Sequence, residues 1–283
     1  MLRFLALALG LLPLNAMSRM AGRLARARLP GWILHPGIRA FARVFGANLG
    51  ESAAPVESFH TFQDFFTREL KDGARVVDAS PDAFVSPCDG AWGVAGRVED
   101  ATLLQLKGRP YSLGSLLGSD ADARDFEGGG FATLYLAPRD YHRFHTPADV
   151  DVVAARYLTG RLWPVNGIGL QGVDGLFAEN ERICAWMCLG RGPEADVCLV
   201  AVGATMVGSI EVVFDSLTTN VPGAVSTFRE YAPRIPLARG AEWGRFGFGS
   251  TIVVLTRPGA VDLDIRPPGA LLRMGERIGT IQP

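Results

Sequence analysis

The sequence is poor in lysine. Of its 28 basic residues, only Lys71 and Lys107 are lysines, and the remainder are arginines. Chemistry that binds a substrate through a lysine Schiff base is therefore limited to two candidates. Neither lysine lies in a recognisable pocket motif, so the sequence gives no support to a lysine-based mechanism.

Cysteine and histidine are also scarce, with four of each. The cysteines form no CxxC pair and have no histidine cluster beside them, which predicts that the protein has no zinc site. Cys184 and Cys188 lie in the apolar run "ICAWMCLG", which favours small buried side chains. The net charge of −1 excludes a general affinity for nucleic acid.

The first 50 residues contain seven arginines and no acidic residue. They begin with an apolar run of about eleven residues, and a bilayer-spanning helix needs about twenty. A signal peptide, a buried core helix and an interfacial helix are the three interpretations. An interfacial helix is favoured because it explains both the apolar residues and the arginines, which would face anionic headgroups. Pro30 and Pro36 are expected to break this region into short helices.

The rest of the chain predicts a different structure. Apolar residues at helical spacing indicate a helix within 57–78, with Gly73 as its stop. From Phe84 onward, short runs rich in Val, Leu, Ile and aromatics are separated by Gly, Pro, Asn and Asp. The prediction is an α+β fold with a predominantly β body, a sandwich or barrel-like core and short N-terminal helices. The expected domains are 1–50 and 51–283.

A glycine-rich stretch, residues 157–177, interrupts the predicted β body. Its composition is typical of a flexible loop near a membrane or substrate. Trp163 and Leu170 are expected to be exposed within it. A plain surface connection is the alternative interpretation.

Three polar clusters offer chemistry. The segment "APRDYHRFHTP" contains His142 and His145, whose pKa near neutrality suits proton transfer. "SPCDG" contains Asp89, and "FGFGST" contains Ser250 at the start of a strand-like run. Asp89, a histidine and Ser250 would make a relay that activates the hydroxyl. The GxSxG pattern of ordinary serine hydrolases is missing around Ser250, so the target of an activated serine is left open.

Taken in order, "SPCDG", "DYHRFH" and "FGST" resemble the bacterial phosphatidylserine decarboxylases, which are pyruvoyl-dependent enzymes made as self-cleaving proenzymes. "SFHTFQDFFTREL", "LFAENERI", "VGATMVGSIE" and "GAEWGRFGFGS" are also similar to that family, from about residue 57 to the C-terminus. The apolar, basic N-terminus resembles the longer, membrane-associated branch. Phe248 is a departure, since the family usually has Leu before the Gly-Ser pair, and Cys88 stands where members vary.

The resemblance implies a role for each candidate residue. Asp89, His145 and Ser250 would form the self-processing relay, in which Ser250 Oγ attacks the carbonyl of Gly249. β-Elimination and hydrolysis would then leave a pyruvoyl group at position 250 and two chains, 1–249 and 250–283. A glycine at 249 has no Cβ to obstruct the attack. His142 is expected to protonate the substrate's α-carbon after CO2 leaves.

The resemblance also implies the partners. Phosphatidylserine would be the substrate and phosphatidylethanolamine the product, with pyruvate as a covalent cofactor derived from Ser250 and no metal. The enzyme would lie peripherally on the cytoplasmic side of the cell membrane. Arginines would pair with the lipid phosphate, but the sequence does not say which. The large and small chains would stay partners, no nucleic acid would bind, and a homodimer is left open.

Two rival interpretations keep the chain intact. A hydrolase using Asp89, His145 and Ser250 against an external ester would be labelled by serine-directed phosphonates. A carrier-like binding module, which a weak echo of strand, glycine turn and strand suggests, would contain no reactive carbonyl. A pyruvoyl decarboxylase that acts on a soluble amino acid is a further alternative, but it would not explain the apolar, arginine-rich N-terminal segment.

Overall fold

The computed structural model of the protein describes residues 10–105, 109–190, 192, 194–206, 209–247 and 251–283. The helices are α1 Leu14–Ala25, α2 Gly31–Phe45, α3 Phe62–Phe66, α4 Leu113–Leu117, α5 Asp120–Arg124, α6 Gly167–Gly172 and α7 Leu176–Glu179, with 3-10 turns at Leu49–Glu51 and Val56–Ser58. The strands are β1 Ala83–Val85, β2 Gly90–Arg97, β3 Thr102–Gln105, β4 Arg109–Ser112, β5 Gly130–Tyr135, β6 Arg143–His145, β7 Val150–Leu158, β8 Arg182–Cys188, β9 Val197–Val202, β10 Ile210–Val212, β11 Thr227–Leu237, β12 Glu242–Phe246, β13 Thr251–Thr256, β14 Val261–Leu263, β15 Leu271–Leu272 and β16 Arg277–Ile281.

An antiparallel sheet of eight strands forms the body of the described part of the chain, in the order β11-β7-β8-β9-β13-β5-β2-β15. Strands β8, β9 and β13 lie near its middle and are buried along their whole lengths. Their continuous apolar sequences suit a sheet that is covered on both faces, because alternate side chains then enter two different cores. The predominantly β body with short N-terminal helices is confirmed.

The two cores use the alternation of the central strands. Ile252 and Val254 enter one core, together with Trp243 and Phe246. Val253 and Leu255 enter the other, together with neighbours that include Trp186 and Phe177. All four cysteines are free and buried, as small apolar side chains would be.

Two three-stranded sheets contribute buried side chains to the first of these cores. One has the order β10-β12-β6 and the other β1-β16-β14. In the first, His145 of β6 pairs with Glu242 of β12. In the second, β1 leads through Ser86 and Pro87 towards Asp89. The two segments lie side by side, since Val85 N donates to Pro147 O at 2.8 Å and His145 N donates to Pro87 O at 2.6 Å.

Helices α1 and α2 form a layer over the body, here called the α1–α2 layer (residues 14–45). On α2, Leu34, Ile38 and Ala42 are buried against a cluster that includes Phe59 and Phe65. Pro30 precedes the first residue of α2, as expected, but Pro36 lies inside the helix, so the prediction of a break there is wrong. Burial of this apolar face holds the helix together across the hydrogen bond that proline cannot make. Within the described residues, no helix combines the length and apolar character that crossing a membrane requires.

The helix predicted within 57–78 is much shorter in the structure. It begins with a capping box between Thr61 and Asp64 and spans only Phe62–Phe66. Beyond it the chain is drawn into strand-like pairing, since Ala53 donates to Glu69 O at 2.9 Å and Lys71 donates to Glu51 O at 2.9 Å. Tertiary pairing therefore overrides the helical spacing.

The expected exposure of Trp163 and Leu170 is wrong, because both are buried. The ring of Trp163 lies against Gly10, where an added Cβ would stand 2.8 Å from Cη2. Asn180 also fixes this segment, accepting from Trp163 N at 2.8 Å and donating to Trp163 O at 2.9 Å. The chain just before α1 therefore covers the ring of Trp163, which the sequence predicts to be exposed.

Candidate active site

Asp89 occupies a buried turn between β1 and β2, where it is 5% exposed. The next residue, Gly90, has φ of 153°. A Cβ at that position would lie 2.3 Å from the carbonyl oxygen of Tyr135, so only glycine lets β2 approach β5 here. The glycine of "SPCDG" thus fixes the backbone that presents the aspartate.

A buried arginine holds the carboxylate of Asp89. Arg75 Nε donates to Oδ1 at 2.8 Å, and Arg75 Nη2 donates to Oδ2. The backbone N–H of Met274 donates to Oδ1 at 2.9 Å. Arg75 also pairs with Glu51 at 3.0 Å. Burial lowers the pKa of Arg75, but the hydrogen bonds and charges of Asp89 and Glu51 outweigh it and raise the pKa overall.

His145 is buried beside this ion pair, at 7% exposure. Its Nδ1 is 2.8 Å from the carbonyl oxygen of Gly240. A carbonyl only accepts, so Nδ1 carries the proton and Nε2 keeps its lone pair. Tyr141 Oη lies 3.2 Å from Nε2 and donates to it. Burial lowers the pKa of His145, and the site therefore holds a neutral imidazole whose Nε2 is unprotonated and accepts from Tyr141.

His142, like His145, has its Nδ1 on a backbone carbonyl oxygen, and it is more deeply buried. It is fully buried, and its Nδ1 donates to the carbonyl oxygen of Asp140 at 2.8 Å. Its Nε2 is buried and has no hydrogen-bond partner within the described residues. The ring centroid of Phe66 lies 4.1 Å away. The pKa of His142 is lowered to about 3, mainly by burial and in smaller part by the charge of Arg68.

The backbone brings Asp89 and His145 together, since His145 N donates to Pro87 O at 2.6 Å. The negative charge of Asp89 acts to raise the pKa of His145. Their side chains form no direct hydrogen bond among the described contacts, because Arg75 and Gly240 occupy the positions that such a bond would use. The coupling between them is electrostatic.

Gly249 and Ser250 lie outside the described residues, together with Phe248. The segments that flank them are fixed. On one side Phe246 N donates to His142 O at 2.9 Å, and Gly247 N donates to Ser209 O at 2.6 Å. On the other side Thr251 begins β13 and is fully buried. The residues that precede this segment are therefore hydrogen-bonded to the backbone of His142.

Three residues of the site had no role in the sequence interpretation. Tyr141 was visible within "DYHRFH", but its contact with His145 Nε2 depends on the turn. Arg75 lies fourteen positions before Asp89, and no spacing rule connects them. Arg68 is 4% exposed, with its Nε lacking a described hydrogen-bond partner, and burial lowers its pKa.

Comparison with known proteins gives matches along nearly the whole chain. A family model described as phosphatidylserine decarboxylase matches residues 62–280, and a second, described as PSD, matches residues 5–46. A phosphatidylserine decarboxylase proenzyme of Anaeromyxobacter sp. (strain K) is 43% identical over 275 residues, covering 96% of both chains. Proteins with the same name from Stutzerimonas stutzeri and Myxococcus xanthus are 41% and 37% identical, covering 96% and 95% of this chain and 88% and 95% of their own.

Proposed function

The chain belongs to the phosphatidylserine decarboxylase family, and we propose that it cuts itself between Gly249 and Ser250 and then converts phosphatidylserine to phosphatidylethanolamine. The observation that carries the proposal is the buried pair His142 and His145. Each imidazole has Nδ1 fixed on a carbonyl oxygen and a basic Nε2. The strand that precedes the cleavage segment is hydrogen-bonded to His142 itself.

The residues around position 250 fit a pyruvoyl group. His142 Nε2 and Thr251 Oγ1 are buried polar atoms without partners in the described part of the chain. Such atoms are costly unless a further polar group meets them, and a small ketone with its bound substrate would do so. A pyruvoyl group, once formed, would accept the electron pair of the C–C bond that breaks when CO2 leaves.

In self-cleavage, His145 Nε2 takes the proton of the Ser250 hydroxyl. The oxygen attacks the carbonyl carbon of Gly249, the new C–O bond forms as the Gly249–Ser250 C–N bond breaks, and the proton passes to the departing nitrogen. Loss of the α-proton of residue 250 then breaks the Cβ–O bond, which frees chain 1–249 with a carboxylate, and hydrolysis releases ammonia and leaves the ketone. Asp89 stabilises the transient imidazolium through its charge. Arg75 holds that carboxylate in place.

In decarboxylation, His142 acts in proton transfer to the α-carbon. As CO2 leaves, its Nε2 passes a proton taken up from solution to the α-carbon, so that a C–H bond replaces the C–C bond that broke. The low pKa set by burial makes the protonated imidazole a strong acid at the moment when the carbon needs a proton.

The α1–α2 layer is the proposed membrane surface. Large apolar side chains are exposed along it, among them Trp32 at 78% and Leu24 at 66%. The first 50 residues add seven arginines and no acid, which favours anionic lipid headgroups. The domain limits 1–50 and 51–283, the peripheral position on the cytoplasmic side of the cell membrane and a homodimer remain predictions.

A denaturing gel with intact mass measurement tests the proposed function. Freshly purified protein should give two chains, 1–249 and 250–283, and the smaller should lack a free N-terminal amine and react with borohydride. Incubation with phosphatidylserine should release CO2. A single intact chain that serine-directed phosphonates label at Ser250 would instead support the hydrolase, and an intact, unreactive chain would support the binding module.

A further inference from the structure

A cavity of about 370 Å³ lies under α1, at the end of the small sheet that contains β10 and β12. It is here called the arginine cavity. One wall comes from α1 and the residues after it, and the other from the segment 218–222. The lining residues used below are Arg19, Arg23, Arg26, Gln63, Ser209 and Gly247.

Three arginines reach the cavity from one face of α1 and its end. Arg19, Arg23 and Arg26 are spaced four and three positions apart, which places them on the same side of a helix. Arg19 Nη1 donates to Asn220 Oδ1 at 3.3 Å, and Arg26 Nη2 donates to Ser209 Oγ at 3.0 Å. These hydrogen-bond acceptors are neutral, so they do not compensate the positive charges.

The single carboxylate in the lining does not cancel these charges. Glu211 accepts from Arg245 Nε at 2.9 Å and from Arg245 Nη2 at 2.8 Å, and it lies 3.7 Å from Arg26. Arg245 therefore compensates Glu211 from another side. The cavity keeps an excess of positive charge, which favours an anion that accepts several hydrogen bonds.

The cavity also borders the proposed reaction centre. Gly247 lines it and precedes Ser250 by three positions, a span of about 11 Å at most for extended chain. Gln63 of α3 lines it as well, and Phe66 of the same helix packs on His142. In phosphatidylserine, only an oxygen, a methylene and the α-carbon lie between the phosphorus and the amino nitrogen.

We propose that the arginine cavity binds the phosphodiester group of the phospholipid substrate, with Arg19, Arg23 and Arg26 as its donors. The proposal rests on the proposed function and deepens it. With the phosphodiester in this cavity, the serine headgroup extends past Gly247 towards position 250, and the acyl chains lie on the side of the exposed apolar residues of α1. The same positive cavity would attract free phosphate or an anionic bilayer, and the experiment separates these sources.

The test uses the mature, self-cleaved enzyme and dihexanoylphosphatidylserine below its micellar concentration, so that no membrane is present. Arg23→Gln is expected to raise KM about tenfold, as the loss of a charge-assisted hydrogen bond does, with kcat little changed. The double variant Arg19→Gln with Arg23→Gln should raise it further. Arg124→Gln is the control, since it removes the same charge from an exposed position outside both the cavity and the α1–α2 layer and should leave KM unchanged.

Binding is measured independently by calorimetry with dihexanoylphosphatidylglycerol, which has the phosphodiester but no amine to react. Its affinity should fall about tenfold in Arg23→Gln and stay unchanged in Arg124→Gln. Inorganic phosphate should compete more weakly than the diester. An effect of Arg23→Gln seen only with anionic vesicles, an unchanged KM, or equal competition by inorganic phosphate would each overturn the proposal.

This design separates the two proposals. Should the wild-type chain neither cut itself nor release CO2, the proposed function fails, while binding of the phosphatidylglycerol diester still reports on the cavity. Should it cut itself and turn over normally, with all arginine variants unaffected, only the phosphodiester site fails.

Discussion

The histidine site and the α1–α2 layer place polar groups in opposite environments. His142 and His145 are buried, each with Nδ1 fixed on a backbone carbonyl, and burial keeps both imidazoles neutral. In the layer, Arg23 and Arg28 are exposed alongside exposed Trp32. Burial provides basic nitrogens with set directions, which proton transfer requires. Exposure provides permanent charges and apolar area, which binding to lipid requires.

The largest expected difference between the two regions concerns self-cleavage. His145→Ala should remain a single chain on a denaturing gel, with a cleavage rate reduced about 100-fold or more, since the base is lost. His142→Ala should still cut itself but release CO2 about 100-fold more slowly. Arg28→Gln in the layer should still cut itself normally. Normal processing and full turnover in both histidine variants would contradict both assignments.

The buried ion pair should matter far more for stability than an exposed one. Arg75→Gln leaves the carboxylate of Asp89 buried without its cation, and it should lower the free energy of unfolding by about 3 kcal/mol. Arg277→Gln, which breaks the more exposed pair with Asp82, should change it barely measurably. Urea denaturation in a Ser250→Ala background, which keeps one chain, measures both. Equal losses in the two variants would contradict the difference.

Acid should destabilise the histidine site in a defined direction. The pKa of His142 is about 3 in the folded protein against 6.5 for the free side chain, so the unfolded chain binds more protons between these values. Its contribution to stability is complete above pH 6.5 and falls by about 2 kcal/mol on going to pH 5. His142→Asn should remove that part of the pH dependence. Identical pH profiles of the Ser250→Ala chain with and without His142→Asn would refute a buried neutral imidazole.

The smallest expected effect lies in the α1–α2 layer. Trp32→Ser and Leu24→Ser should each weaken binding to vesicles of phosphatidylglycerol and phosphatidylcholine about tenfold, because an apolar side chain no longer enters the bilayer. Val76→Ser is the control, since Val76 is 79% exposed but lies outside the layer. Cosedimentation measures all three. Equal binding by all three variants and the wild type would argue against the layer as the membrane surface.

The sequence allowed prediction of the β body, and it allowed Asp89, His142 and His145 to be named as candidate site residues, because both depend on local patterns. Short apolar runs between turn residues correspond to strands such as β8 and β13. The motif order pointed to Asp89, His142 and His145, whose segments the fold places side by side. Features that depend on local sequence patterns could therefore be predicted from the sequence.

The remaining features depend on contacts between distant parts of the chain. Phe59 to Phe66 have helical spacing, but pairing of residues 69–71 with 51–53 ends the helix early. Pro36 stays within α2 because Leu34 and Ile38 are buried. Arg75 and Gly240, which hold Asp89 and His145, come from segments with no motif of their own. A single sequence has no signal for such long-range partners.

The location of β13 bears on what remains after the backbone is cut. The C-terminal piece contributes this strand to the interior of the large sheet, where it is hydrogen-bonded to β5 along one edge and to β9 along the other. Its release would open the sheet in two and bring both cores into contact with water. Mature protein should therefore elute as one particle from a sizing column under native conditions, and the short piece should become free only when the whole molecule denatures.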